Sequence, residues 1–299
     1  MALHTIGILS PGDMGHAIGR VLHQQGLRVL TSVQGRSART ARLAAAAGIT
    51  AVEDDEKLVC ESEILLSILP PSQAAHLAER IAPVVKKSGT PLLFADCNAI
   101  APRTVLAIEQ VMLGAGASFV DVGIIGSPPQ RGEPGPRLYT SGLGAQDFAQ
   151  LQAYGLDVRT LSSQTGQASG LKMCYASLTK GLTALACEAV VAGDALGVGE
   201  ALTAELQASQ EALLRWIARQ VPGMPPKAAR WIGEMEEIAQ AWSDLGLPPQ
   251  MLEGAAAVYR FVGETPLSLE TPEQRQRGQT LEEVTTILST ALANRPRNP

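Results

Sequence analysis

The stretch Thr5-Ile6-Gly7-Ile8-Leu9-Ser10-Pro11-Gly12-Asp13-Met14-Gly15 decides the fold. Thr5–Leu9 is a short apolar run bounded by turn residues, the pattern of a fully buried strand. Ser10-Pro11-Gly12 breaks it, and a helical segment over Asp13–Gln25 follows at once. A strand that turns tightly into a helix leaves the first backbone N–H groups of that helix unpaired and pointing at the turn, where an anion is favoured.

Outward from this stretch the same alternation repeats. Leu27–Val33 reads as a strand and Ser37–Ala47 as an Ala-rich helix. Ile64–Leu69 reads as a strand, then Ser72–Ile81 as a helix with Ser72 as its N-cap. Pro91–Ala95 and Phe119–Val122 read as strands on either side of a Pro-initiated helix over Pro102–Met112. A polar, Pro-rich loop occupies 127–136. Two late strands, Arg137–Ser141 and Asp157–Leu161, flank a short helix at Ala145–Tyr154. The alternation of strands and helices up to Phe119–Val122 implies a doubly wound parallel sheet.

Beyond about residue 165 no strand-like run of useful length remains. A long, mostly apolar helix over Ser169–Ala195 is followed by helices near Leu202–Val221, Lys227–Leu245, Gln250–Val262 and Pro272–Leu292. The sequence therefore predicts an α/β chain with two domains. Residues 1–164 form an N-terminal Rossmann domain, and 165–299 form an all-α C-terminal domain that begins with a long inter-domain helix.

Composition narrows the function classes. The chain has 299 residues, 45% of them hydrophobic, and a formal net charge of −5. It has no Lys/Arg run longer than Lys86-Lys87, so the basic footprint of a nucleic-acid binder is missing. His4, His16, His23 and His76 are scattered without ligand spacing, and no metal site is expected. Cys60, Cys97, Cys174 and Cys187 are equally scattered. No apolar run reaches membrane-spanning length, and no leader-like segment precedes the first strand. These features predict a cytoplasmic protein with reduced thiols.

Ser10-Pro11-Gly12-Asp13-Met14-Gly15 is a variant of the Gly-x-Gly-x-x-Gly turn, with Ser10 in the place of the first glycine. Gly12 would let backbone approach a pyrophosphate, and Gly15 would allow close helix–strand packing. The bland alternative is a plain tight turn, but a strand on one side and a helix on the other is the context the nucleotide reading requires. The end of the second strand reads Thr31-Ser32-Val33-Gln34-Gly35-Arg36-Ser37, with no acid before Glu53. An NAD site would carry Asp or Glu there for the ribose 2′-hydroxyl; Arg36 and Ser37, with help from Arg39, suit a 2′-phosphate, hence NADP. The alternative is a solvated helix start with exposed arginines. Leu69, Pro70 and Pro71 end the strand Ile64–Leu69 and should lie against the nicotinamide half of the cofactor.

Lys172 and Lys180 both fall within the long apolar helix. At 100° per residue they lie within about 80° of each other. Burying an ammonium is costly unless it is paired or neutralised. Two readings stand on spacing alone: a lysine tuned for acid–base work or anion binding, or two lysines snorkelling to water.

Four motifs in order resemble the β-hydroxyacid dehydrogenase family, which includes 3-hydroxyisobutyrate dehydrogenase and 6-phosphogluconate dehydrogenase. Ser10–Gly15 is similar to the family's Gly-x-Gly-x-Met-Gly. Asp96-Cys97-Asn98-Ala99-Ile100-Ala101-Pro102 is similar to its Asp-x-Ser-Thr-x-Ser-Pro, and Asp121–Ser127 to its second substrate loop. Lys172-Met173-Cys174-Tyr175-Ala176 aligns with Lys-x-x-Asn-Asn. The C-terminal helices resemble a branch with its own domain of unknown function.

The resemblance implies an NADP-dependent oxidoreductase that moves a hydride between the cofactor and a small hydroxy, keto or semialdehyde carboxylate. Lys172 would be the general acid/base. Asn98, Gly126 and Ser127 would bind the substrate carboxylate or a neighbouring hydroxyl, with Asn98 also near the cofactor. Tyr175, Ser177 or Lys180 would stand in for the family's second Asn, which is Ala176 here; Glu234 would replace an Asp of a C-terminal Lys-Asp pair, with Arg230 supplying the positive charge, the alternative being a solvated helix face. A homodimer is implied as well. An imine reductase and a catalytically silent NADPH sensor are the alternatives; Lys172 argues against the first, and the second fits the loss of Asn at 176 but not an intact Lys172 in a buried helix.

Overall fold

The computed structural model describes residues 3–130, 135–271 and 275–295. The chain divides into two compact units, one ending at Cys174 and the other starting at Tyr175.

The first unit is built on one sheet. In chain order its elements are β1 (Thr5–Leu9), α1 (Asp13–Gln24), β2 (Arg28–Ser32), α2 (Ala38–Ala46), β3 (Thr50–Val52) and α3 (Asp55–Glu61). Then come β4 (Ile64–Ser67), α4 (Ala74–Ser88), β5 (Leu93–Asp96), α5 (Pro102–Gly114), β6 (Ser118–Ile125), β7 (Arg137–Ser141), α6 (Ala145–Ala149) and β8 (Asp157–Ser162). The strand order is β3-β2-β1-β4-β5-β6-β7-β8. Strands β1 to β6 are parallel, as the alternation of strands and helices up to β6 implied, whereas the late strand β7 runs antiparallel to β6 and β8 runs parallel to β7. The chain winds one way from β1 to β3 and the other way from β4 to β6. The crevice at the carboxyl ends of β1 and β4 is thus a topological switch point.

Alternation along the buried strands feeds two cores, one per sheet face. Ile6 and Ile8 of β1, Ile64 and Leu66 of β4 and Ala95 of β5 join Ile18 and Leu22 of α1 on one face. Leu9, Leu65 and Phe94 join Leu58 of α3, Ile81 of α4 and Val105 of α5 on the other. Each such side chain removed from water contributes about 1.5 to 3 kcal/mol, which is why short runs of Ile, Leu and Val suffice to place the strands.

Two elements of this unit went unread. β3 is a three-residue edge strand with two exposed residues, and α3 is a seven-residue charged helix capped by Asp54, which accepts from the Lys57 N–H at 2.8 Å. Neither carries enough apolar periodicity to show. Ser72 does not cap α4: a 3-10 turn over Pro71–Gln73 intervenes and α4 starts at Ala74. In the 127–136 loop, residues 131–134 lie outside the described residues.

A long helix, α7 (Gln167–Ala195), runs from the first unit into the second. The second unit continues with α8 (Gly199–Ser209), α9 (Glu211–Gly223), α10 (Ala228–Asp244), α11 (Gln250–Gly263) and α12 (Leu281–Ala293). Ile217, Val221, Met235, Ile238, Tyr259, Val284 and Leu288 are buried in it. The helix expected over Leu202–Val221 is two helices, because Gln210 leaves helical dihedrals (φ −141°, ψ 44°) with no Pro or Gly to announce it. The last helix starts at Leu281, not Pro272, which lies outside the described residues. Gly278 takes a positive φ of 60°, and Thr280 caps the helix by accepting from the Glu283 N–H.

Candidate functional site

β1 ends at Ser10, which adopts φ 61°, the only positive φ outside glycine among the described residues. The family's first glycine would hold this left-handed conformation freely, whereas a serine there is strained by about 1 to 2 kcal/mol. The Gly12 N–H donates to the Ser10 carbonyl at 2.7 Å, and Gly12 is the N-cap of α1. A Cβ at Gly12 would meet nothing within 4 Å, so backbone faces open space there. A Cβ at Gly15 would sit 3.4 Å from Ile8 and from the Ser10 carbonyl, which is the close helix–strand approach expected of it. The half-buried Asp13 is paired with Arg39 at 2.7 Å, and Met14 packs on the core beneath. Pro11 is buried under the turn.

Beyond β2, Arg36 is half-buried and helps line a cavity of about 240 Å³ with Gln34, Gly35, Leu69, Gln73 and Arg80. Burial, and then the neighbouring Arg80 charge, hold the Arg36 guanidinium below its ordinary pKa; Asp55 acts the other way. Ser37 caps α2, its Oγ accepting from the Thr40 N–H at 3.2 Å. An open glycine turn and a cationic cavity near it could hold an adenine dinucleotide, its central pyrophosphate at the turn and its adenosine ribose near Arg36.

Asn98 is a brace. Its side-chain amide donates to Ser67 Oγ at 3.0 Å and Asp96 Oδ2 at 3.1 Å, while its Oδ1 accepts from the Leu69 N–H at 2.6 Å. It is 1% exposed and ties the end of β4 to the end of β5, fixing the Leu69–Pro71 loop. Asp96, also buried, accepts from the Asn98 N–H at 3.0 Å. Burial pushes its carboxyl up to about 6, and Asp121 adds to this; the Asn98 hydrogen bonds and the Lys172 charge act against it. Burial likewise raises the Cys97 thiol well above the usual range.

Asp121 seats α7. Its carboxylate accepts from the N–H groups of Gly166 and Ser169, both at 3.0 Å, from Ser169 Oγ at 2.5 Å and from Ser141 Oγ at 2.9 Å. Ser141 Oγ in turn accepts from the Ala168 N–H at 3.0 Å. A buried carboxylate thus meets the unpaired donors at a helix start. The backbone of β6 lies so close to α7 that a Cβ at Gly123 would sit 2.5 Å from the Ala168 carbonyl and 3.4 Å from Lys172 Cβ. Lys172 is half-buried and close enough to Asp96 and Cys97 to act on both electrostatically. Past β6, Gly126 takes φ 128° against Pro136, and Gly126 and Ser127 are exposed. Arg20 of α1 holds the next turn by donating to the Pro129 carbonyl at 2.6 Å.

The first-unit residues singled out in the sequence lie past the carboxyl ends of the strands, except Lys172, which lies on α7 close enough to Asp96 to act on it electrostatically. Asp121 and Ser141 as the seat of α7, Ser67 as a partner of Asn98, and Arg80 in the cavity escaped it. Each depends on strand register or on a helix–helix approach that no local pattern encodes.

In the second unit, Lys180 pairs with Glu234, whose carboxylate also lies 3.6 Å from Arg230. The Lys180 Nζ stands 5.2 Å over the Trp231 ring. Tyr259 packs edge-on against that ring and donates to the Lys180 carbonyl at 2.5 Å. Glu234 is thus flanked by two cations, and Lys180 is committed to it. Tyr175 stands exposed.

Comparison with known proteins gives the following. Residues 5–91 match a family described as NADP oxidoreductase coenzyme F420-dependent, and residues 194–262 match a domain of unknown function, DUF1932. An uncharacterised 28.5 kDa protein of Methanothermus fervidus is 25% identical over 260 residues, covering 87% of this chain and 99% of that one. A solved conserved protein of unknown function, described as structurally similar to 3-hydroxyacid dehydrogenases, superposes with a TM-score of 0.68 at 25% identity, covering 87% of this chain and 97% of its own. The 3-hydroxyisobutyrate dehydrogenase of Mycobacterium tuberculosis, solved with L-serine, gives 0.70 at 15% identity over 96% of this chain and 99% of its own. An imine reductase of Myxococcus stipitatus in complex with NADP+ gives 0.54 at 17% identity over 95% and 99%. The fold is that of the 3-hydroxyacid dehydrogenases.

Proposed function

A chain that joins an NADP-oxidoreductase-type N-terminal domain to a DUF1932 C-terminal domain fits the β-hydroxyacid dehydrogenase family, and from that premise we propose an NADPH-dependent oxidoreductase of small hydroxy or keto carboxylates in which Lys172 is the general acid/base. The similar proteins and the N-terminal match support a dehydrogenase-type oxidoreductase; cofactor choice, substrate class and the lysine are the proposal.

The observation that carries it is the seating of Lys172. Asp121 and Ser141 pin the start of α7, and the close approach at Gly123 brings Lys172 to the carboxyl ends of β5 and β6, beside Asp96. NADPH, when bound, supplies the hydride. Gly12 and the start of α1 would receive its pyrophosphate, and Arg36 its 2′-phosphate. Lys172 Nζ would give a proton to the carbonyl oxygen on reduction and take it back from the hydroxyl on oxidation. Gly126 and Ser127, exposed at the end of β6, would hold the substrate carboxylate through backbone N–H groups. Asn98 would act through the loop it braces. The Glu234–Lys180–Arg230 cluster would serve substrate recognition, and the working form would be a cytoplasmic homodimer.

The test is a turnover screen of small 3-hydroxyacids with NADP and NAD, and of semialdehydes and β-keto acids with NADPH and NADH. NADPH-linked turnover that falls by at least about a hundredfold in Lys172→Ala is expected. Activity that survives the substitution would overturn the mechanism. Tight NADPH binding with no turnover of these compounds would favour imine reduction or cofactor sensing.

A further inference from the structure

The cavity beyond β2 is walled by two guanidiniums from different elements. Arg36 comes from the loop after β2, and Arg80 from the second turn of α4. Arg80 donates through Nη1 to Asp55, the first residue of α3. The Arg80 side chain is 44% exposed, whereas Asp55 is 19% exposed. Arg80 lies close enough for its charge to act on Arg36, and Asp55, paired with Arg80, acts on Arg36 the other way. A guanidinium has five donors in a planar fork, so one bond to Asp55 leaves Arg80 donors for a second acceptor. Two like charges on one small cavity wall repel unless an anion fills the space, and a phosphate monoester carries the double charge and the acceptors that two forks can share.

We propose that Arg80 is a second ligand for the 2′-phosphate of the dinucleotide and, with Arg36, sets the preference for the phosphorylated cofactor. This rests on the NADPH reading above and extends it to a residue of α4. Asp55 is a competitor for Arg80: a carboxylate paired with that guanidinium opposes an incoming dianion by like-charge repulsion.

The experiment measures binding, not turnover. NADPH and NADH are titrated by cofactor fluorescence, and adenosine 2′-monophosphate and adenosine by calorimetry, against the wild type, Arg36→Gln, Arg80→Gln and Asp55→Asn. Arg80→Gln is expected to weaken NADPH and adenosine 2′-monophosphate by about tenfold to a hundredfold, the loss of charge-assisted hydrogen bonds, and to leave NADH and adenosine unchanged. Asp55→Asn breaks the same ion pair but keeps Arg80, so it is expected to hold or tighten NADPH binding. If Asp55→Asn weakens NADPH as much as Arg80→Gln, the ion pair is structural and the proposal falls. If Arg36→Gln abolishes the NADPH preference and Arg80→Gln leaves it intact, the role of Arg80 falls and the NADPH reading stands. A wild type that binds NADPH and NADH equally would overturn both.

Discussion

At position 96 a carboxyl is buried where its neighbours only partly compensate. Its pKa is raised from an ordinary 3.8 to about 6, chiefly by desolvation. Between these values the folded chain holds a proton that the unfolded chain has released. The unfolding free energy contributed by Asp96 therefore falls as pH rises from about 4 to about 6, by on the order of 3 kcal/mol, and stays low above that. Asp96→Asn removes the titration. Urea denaturation of both proteins between pH 4 and 7.5 is expected to show the wild type losing stability relative to the variant across this window; a pH-independent difference would refute the assignment. The same residue shows what a local reading reaches. The motif sets Asp96 two residues from Asn98, but the partner that makes the loop rigid, Ser67, comes from the neighbouring strand through Asn98. Ser10 is similar: the turn is legible, but its positive φ emerges only in the structure.

At the scale of elements, the seating of α7 joins sheet to chemistry. Asp121 and Ser141 face each other across β6 and β7 because the two strands pair antiparallel with Asp121 opposite Ser141. Together they meet the N–H groups of Gly166, Ala168 and Ser169. Asp121→Asn keeps the volume and removes the charge, and is expected to cost about 2 kcal/mol of stability. Hydrogen exchange at these three amides is expected to speed up more than exchange in α10. Unchanged exchange at the helix start would show that the carboxylate does not hold it. This arrangement is not legible in the sequence, because nothing local sets the direction of β7, and antiparallel register is what brings Ser141 to Asp121. The apolar runs of β1 and β4, the amphipathic α1 and the long apolar α7 were legible. The short edge strand β3 and the charged helix α3 were not, although α3 supplies Asp55, the partner of Arg80.

At the scale of the whole molecule, the second unit leaves apolar surface on α7 that its own helices do not cover. Tyr175, Leu178, Leu182 and Leu185 are 46%, 73%, 39% and 56% exposed. Their spacing of three, four and three residues forms a single stripe, the pattern of a helix that packs against another helix. A two-fold contact would place the same stripe from a second copy against it, so that one surface buries itself. Each leucine taken out of water contributes about 1 to 2 kcal/mol. Stripe against stripe gives on the order of 10 kcal/mol, comparable to the cost of association, so further surface must join the contact. Light scattering at tens of micromolar is expected to give about twice the 31.4 kDa chain mass. Leu178→Asp with Leu185→Asp is expected to halve that mass while the helical circular dichroism stays unchanged, since both side chains face water in the single chain. A wild type of single-chain mass at that concentration would overturn the dimer, and a double variant that stays dimeric would move the contact to another face of the molecule.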